Sequence, residues 1–156
     1  MTTLSLLPEP LKRLFSRFDA GGTRERSLEL ALDHWRIKRG NRLYPRLAEI
    51  DAGQLGTFAP YVFIFERTGN KEWRLRFAGE AAKATLRPES RGATLTALAN
   101  RRIAARLRLL FDWAEETGEA VSASFISPEQ SGEILAAPLS TDGNEVGAVF
   151  GGIVSR

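Results

Sequence analysis

Cysteine is absent from the 156-residue chain, and histidine and methionine occur once each. Without cysteine, the chain can form no disulfide, thiolate nucleophile, iron–sulfur cluster or cysteine-built zinc site. The single histidine, His34, excludes a multi-histidine metal centre. Long apolar runs are missing too, because the longest, residues 147–154, is less than half of a membrane span. The early leucines are interrupted by Pro8 and Pro10, so the sequence predicts a cytoplasmic protein without a targeting segment.

Positive charge is in small excess and unevenly distributed. The chain has 22 basic and 19 acidic residues, a net charge of +3. Residues 1–46 carry +5, whereas residues 101–156 carry −3. A nucleic-acid-binding protein gains its affinity from many phosphate contacts on one basic face. The polarised charge therefore argues against nucleic acid as the main partner.

Hydrophobic periodicity predicts three main helices. After Pro8, a first helix would carry one apolar face, formed by Leu7, Leu11, Leu14, Phe15 and Phe18. A second would run from Thr23 to a stop at Gly40, and basic residues in its last turns suit the negative end of the helix dipole. The longest is predicted over residues 96–117, where Gly118 ends it. Short helical stretches are expected around residues 52–55 and 80–86.

Five strands are predicted between and after these helices. Residues 61–66 are almost continuously apolar, as expected of a central strand, and residues 72–77 alternate so that Trp73, Leu75 and Phe77 would share one face. Residues 120–126, 133–139 and 145–154 follow, joined by turns short enough to require antiparallel neighbours. The prediction is an α+β protein with a five-stranded antiparallel sheet.

Four local phrases resemble one known family. They are Asp33-His34-Trp35-Arg36, Phe58-Ala59-Pro60-Tyr61, Trp73-Arg74-Leu75-Arg76-Phe77-Ala78-Gly79-Glu80 and Ala137-Pro138-Leu139. Their order, and the order of the predicted elements, resembles a PAS domain, in particular the small stand-alone bacterial PAS-type proteins. The resemblance covers residues 28–154. It implies a five-stranded sheet with helices on one face, and it divides the chain into an N-terminal helical extension, 1–22, and a PAS-like sensory domain, 23–156.

The resemblance also implies a function. PAS domains are sensory or protein-interaction modules, so no catalytic residues are carried over and a non-enzymatic protein is expected. Many hold a small molecule between the sheet and the long helix. The candidate cavity residues here are Phe63, Leu75, Phe77, Leu107 and Phe125; the alternative is that these side chains only fill the core.

The missing residue types limit the cofactor. Haem-binding relatives use a histidine after the second strand, but residues 79–117 contain none. Covalent chromophores of this fold need a cysteine. Haem, a covalent chromophore and a metal are therefore not expected, whereas a non-covalent flavin or small apolar ligand stays open. His34 is interpreted as a packing residue of the second helix.

The long helix carries Arg101, Arg102, Arg106 and Arg108. Arg102 and Arg106 are four residues apart, so they share a helical face and could clamp a phosphate. The alternative is a solvated face balanced by Asp112, Glu115 and Glu116. This cluster supports the second functional hypothesis, a nucleotide- or nucleic-acid-binding protein. The basic residues 36–46 are interpreted as helix capping and a solvated connection.

The apolar face of the first helix must be buried somewhere, since each large apolar side chain gains roughly 1.5–3 kcal/mol on burial. Leu7, Leu11, Leu14, Phe15 and Phe18 are therefore candidates for a homodimer contact, and the alternative is that they fold back onto their own sheet. The sequence as a whole predicts a cytoplasmic, dimeric, non-enzymatic PAS-type regulator in bacterial signalling. Its expected partner is a small apolar ligand or a signalling protein.

Overall fold

A computed structural model describes residues 9–20, 23–90 and 92–156. The elements within these ranges are α1 (Glu9–Leu14), β1 (Arg17–Ala20), α2 (Arg26–Arg39), β2 (Val62–Arg67), β3 (Trp73–Ala78), α3 (Glu80–Leu86), α4 (Arg101–Thr117), β4 (Val121–Ile126), β5 (Ser131–Ser140) and β6 (Val146–Ser155). Short 3-10 helices cover Leu47–Glu49, Ala52–Gln54, Gly56–Tyr61 and Leu95–Ala97. In the described ranges, no helix combines the length and apolarity needed to cross a membrane.

The strands form one antiparallel sheet in the order β1-β4-β5-β6-β2-β3. As its apolar run predicted, β2 is an inner strand, paired with β6 on one side and β3 on the other. Glycine allows close packing on β6, because a Cβ at Gly152 would collide with Leu28 of α2 and the Tyr61 carbonyl. The α+β architecture is therefore confirmed, and the described residues contain one strand more than predicted.

Helices cover both faces of this sheet, which corrects the expectation that they lie on one. Alternate residues of β2 enter two separate cores: Phe63 and Phe65 face α4, and Val62 and Ile64 face α2. We call these the α4 face and the α2 face. The apolar stripe of α2 packs against β5 and β6. The pattern of an amphipathic helix predicts which side of the helix is buried, but not which face of the sheet the helix packs against.

The N-terminal segment corrects a second expectation. The helix predicted to continue through Phe18 ends at Leu14, and residues 17–20 form the edge strand β1, paired with β4. An edge strand offers unpaired backbone N–H and C=O groups, and β1 satisfies those of β4. Phe15 and Phe18 are each 3% exposed and lie in the core of the α4 face.

A β-bulge in β3 corrects the predicted orientation of Phe77. The pairing of β2 with β3 shifts register between Ile64 and Phe65, so that Phe65 pairs with Leu75 but Ile64 pairs with Phe77. An extra residue at this point turns the following side chain to the opposite face. Leu75 consequently packs in the α4 face, whereas Phe77 packs against the core of the α2 face.

Candidate functional site

The space between the sheet and α4 is occupied by side chains. Phe111 of α4 lies 5.7 Å from Phe63, 5.1 Å from Phe65 and 5.4 Å from Trp73, measured between ring centroids. Phe63, Leu75, Leu107 and Phe125, four of the five candidate cavity residues, belong to this same cluster. Their close packing is what an ordinary core shows. The role of these residues as ligand contacts stays a prediction.

An open groove lies beside the edge strand β3, and we call it the β3 groove. Its volume is about 510 Å³, and it is lined by Leu75, Arg76, Phe77, Ala78, Lys83, Pro88, Ser90 and Gly92. Two of the candidate cavity residues, Leu75 and Phe77, line this groove, although their side chains pack on opposite faces of the sheet. The apolar side chains of β3 form one wall, Pro88, Ser90 and Gly92 form another, and Lys83 of α3 adds a positive charge.

The backbone fixes the outer wall of the β3 groove. The N–H of Leu75 donates to the Ala93 carbonyl at 2.8 Å, and Arg74 forms an isolated bridge with Thr94. The segment after the groove thus adds a short strand-like contact to the exposed edge of β3. Within a few residues the chain continues from this contact into the start of α4. The outer wall of the groove and the longest helix therefore belong to one continuous stretch of chain.

The four arginines of α4 have different surroundings. Arg108 pairs with Glu72 at 2.7 Å, and Arg102 pairs with Glu129. Arg106 is buried and lines a second, polar pocket together with Arg102. The expected clamp residues therefore do face one cavity.

The expected counter-charges of α4 lie elsewhere. Asp112 and Glu115 pair with Arg67 of β2, at 3.7 and 3.1 Å, rather than with the arginines of their own helix. Trp73 also donates its indole N–H to Asp112 at 3.1 Å. The acids thus connect the C-terminal half of α4 to the β2–β3 hairpin and leave the N-terminal half of the helix basic.

The basic segment 36–46 is engaged in local contacts. The guanidinium carbon of Arg39 lies 4.8 Å from the ring centroid of Trp35, Arg42 pairs with Glu49 at 2.8 Å, and Arg46 donates to the Asp142 carbonyl at 3.1 Å. These contacts fasten the end of α2 and the following connection.

The predicted dimer residues are only partly described. Leu7 lies outside the described residues, and nothing is described of the side chain of Leu11. Leu14 is half-buried against the core of the α4 face, and Phe15 and Phe18 are inside it. These last two side chains are thus covered by their own chain, and a contact with a second copy stays a prediction.

A comparison with protein families decides the identity of the fold. A family model described as a PAS domain matches residues 23–154, nearly the whole chain. The chain belongs to the PAS domain family. No curated protein and no solved structure was found to match it. Family membership confirms the resemblance inferred from the sequence and the PAS-like fold, and PAS domains are in general non-catalytic sensory or regulatory modules.

Two of the phrases that carry the PAS resemblance contact each other. The indole N–H of Trp35 on α2 donates to the Pro138 carbonyl on β5 at 2.8 Å, and Trp35 is buried. A buried indole N–H needs an acceptor, and here that acceptor lies about one hundred residues away in the chain. This bond fastens α2 to the PAS sheet.

His34 lies beside this bond, half-buried between the rings of Phe58 and Phe150, whose centroids are 5.9 and 6.0 Å away. Its Nε2 atom is buried and accepts no hydrogen bond from a described protein group. Burial, and then the charge of Lys38, holds the pKa of His34 below its ordinary value of 6.5. In the described residues, no three His, Asp or Glu side chains come together as metal ligands.

The lowered pKa of His34 predicts a pH dependence of stability. As the pH falls below 6.5, the unfolded chain takes up the proton before the folded chain does, so the free energy of unfolding decreases. Urea unfolding at a series of pH values between 7.5 and 5.5 should show this decrease, and His34→Phe should lack it. Burial raises the pKa of Glu115. Because Glu115 is present in both proteins, its titration affects both stability profiles equally and does not change the difference between them. Parallel profiles of the two proteins would contradict the prediction.

The structure gives prominent positions to two residues that the sequence patterns did not single out. Glu133 is buried at the start of β5, and Arg87 lines the polar pocket at the end of α3. Arg87 has a left-handed backbone, with φ of 53°, and stands directly before Pro88. For Arg87, the sequence offers one indication, a basic residue between a helix and a proline. For Glu133 it offers none, because the partners of Glu133 lie far away in the sequence.

Proposed function

We propose that this PAS-domain protein is a cytoplasmic sensory or regulatory module that binds a small molecule with an apolar body in the β3 groove and acts on a protein partner. The observation that carries the proposal is the groove itself. Its volume of about 510 Å³ is within the range of small-molecule sites, about 300–1,000 Å³. The interior of the domain offers no comparable support, since aromatic side chains pack there.

The chemistry of the walls defines the ligand class. Leu75, Phe77 and Ala78 offer an apolar surface, while Arg76 and Lys83 stand at the rim. Arg76 is already paired with Glu66 at 2.7 Å, and Lys83 is exposed. This arrangement suits an apolar body that lies on β3 and turns a polar or acidic end towards Lys83.

The wall formed by Pro88, Ser90 and Gly92 connects binding to a response. It lies between α3 and the segment that pairs with β3 through the Leu75–Ala93 hydrogen bond. A ligand that binds one position of this wall more tightly would increase the population of that position. The segment that leads from the wall to α4 would then change position as well. A partner that contacts the start of α4 would then distinguish the ligand-bound from the ligand-free protein.

The groove can be tested with the neutral fluorescent probe N-phenyl-1-naphthylamine. Ser90 is exposed at the rim, so Ser90→Trp fills the groove without changing the core. We expect Ser90→Trp to weaken probe binding about tenfold or more, equivalent to about 1.4 kcal/mol. Gln54→Trp, at an exposed position on another part of the chain, is the matched control and should bind as the unaltered protein does.

Native mass spectrometry of the freshly purified protein complements this titration. A co-purified small molecule that is present in the unaltered protein and in Gln54→Trp, but lost from Ser90→Trp, would identify the natural ligand. Equal probe affinity for all three proteins would refute the groove as the binding site.

A further inference from the structure

Arg106 is a buried cation without a buried counter-charge. It is 7% exposed, and within the described ranges no carboxylate lies within ion-pairing distance of it. Its Nε–H donates to the Leu14 carbonyl at 3.0 Å, and its guanidinium carbon lies 4.7 Å from the ring centroid of Phe125. Burial, and then the charge of Arg102, lowers the pKa of Arg106. Removing a charge from water is costly unless an opposite charge compensates it.

A polar pocket of about 300 Å³ adjoins this guanidinium, and we call it the arginine pocket. Arg87 comes from the end of α3, and Arg102 and Arg106 come from one face of α4, because they are four residues apart. The lining is completed by Ala84, Thr85, Asn100, Ser127, Glu129 and Gln130. Three guanidinium groups around one small cavity are an environment for a compact anion.

Hydrogen bonds hold the walls of the arginine pocket in place. Asn100 donates its side-chain N–H to the Thr85 carbonyl at 2.9 Å and accepts the Ile103 N–H at 3.3 Å, so it joins α3 to the start of α4. In the β4–β5 turn, which also lines the pocket, the hydroxyl of Ser127 donates to the Gln130 carbonyl at 2.7 Å and closes the turn. The cavity is therefore formed before any ligand enters.

Glu129 is the acidic group at the rim, and it pairs with Arg102. The side chains of Arg102 and Glu129 are 63% and 67% exposed, and an exposed ion pair of this kind contributes little stability. An incoming anion can therefore replace the Glu129 carboxylate at small cost.

We propose that the arginine pocket binds a small anion through a phosphate or carboxylate group, which Arg106 and Arg102 hold together after Glu129 has moved away. Arg87 stands at the opening as a further donor. The site is separate from the β3 groove. The pocket, of about 300 Å³, is too small for a nucleic-acid strand, so a compact ligand is favoured over an oligonucleotide.

The test is calorimetric titration of the full chain with inorganic phosphate and, separately, with succinate, at constant ionic strength maintained with chloride. These two arms distinguish the phosphate from the carboxylate source. We expect saturable binding of at least one anion, weakened tenfold or more by Arg102→Gln and by Arg106→Gln. Arg101→Gln, on the same helix with the same loss of charge, is the control and should bind normally. Arg102 is exposed, so its variant keeps the test valid if Arg106→Gln does not fold.

Glu129→Gln provides a test in the opposite direction. Removing the carboxylate that competes for Arg102 should tighten anion binding about threefold or more. Ser90→Trp, which fills the β3 groove, should leave it unchanged. The proposal is overturned if neither anion binds saturably at millimolar concentration, if Arg101→Gln weakens binding as much as Arg102→Gln does, or if an oligonucleotide binds where phosphate and succinate do not.

Discussion

Glu133→Ala is expected to lower the free energy of unfolding by about 3–5 kcal/mol, the usual cost of removing one partner from a buried ionic network. Glu133 is 2% exposed, and its carboxylate accepts hydrogen bonds from Arg17 at 2.7 Å, from the hydroxyl of Thr23, and from the backbone N–H groups of Arg24 and Glu25 at 3.0 and 3.2 Å. One side chain of β5 thus satisfies donors from β1 and from the segment that starts α2. Without it, these donors lose their acceptor inside the protein.

Urea unfolding of the unaltered protein, Glu133→Ala and Glu133→Gln measures this effect. Glutamine keeps the shape and one acceptor oxygen of glutamate but not its charge. The free energy of unfolding of Glu133→Gln should therefore fall between those of the unaltered protein and Glu133→Ala. Glu129→Ala, four residues earlier and exposed, is the control and should change stability by no more than about 0.5 kcal/mol. A loss below 1 kcal/mol for Glu133→Ala would show that the network contributes little.

The parts of the fold that were predicted correctly are those that depend on residues close together in the sequence. The unbroken apolar run of β2 predicted an inner strand, and Gly40 and Gly118, both with positive φ, end α2 and α4 as expected. The position of β1 was not predictable in this way. Phe15 and Phe18 fit a helical face as well as a short strand, and the choice depends on the open edge of β4, more than one hundred residues later.

The candidate sites show the same difference between features set by nearby residues and features set by distant ones. The spacing of Arg102 and Arg106 placed them on one side of α4, and the structure places both in one pocket. Phe77 was assigned to the wrong face because a bulge leaves no trace in a perfect alternation of charged and apolar residues. Glu133 could not be assigned a role, because its partners on β1 and just before α2 precede it by more than one hundred positions.

The second large effect concerns the interior of the domain. Phe111→Ala should lower the free energy of unfolding by about 3–5 kcal/mol, since deleting a buried aromatic ring loses its burial and leaves a cavity. Phe111 is fully buried, and its ring lies within 5.7 Å of those of Phe63, Phe65 and Trp73, so the sheet and α4 meet around it. Phe111→Leu, which keeps much of the volume, should cost less than about 1.5 kcal/mol.

The same variant tests whether the interior is a core or an empty ligand site. If the aromatic side chains fill it, the unaltered protein has no room for benzene, whereas the dry apolar cavity of Phe111→Ala should bind it and recover part of the lost stability. Urea unfolding of both proteins with and without saturating benzene makes the comparison. Stabilisation of the unaltered protein by benzene would instead indicate an interior site among the predicted residues Phe63, Leu107 and Phe125. A stabilised Phe111→Ala beside an unresponsive parent would show that aromatic side chains fill the interior, and would favour the proposed surface sites, the β3 groove and the arginine pocket, over an interior one.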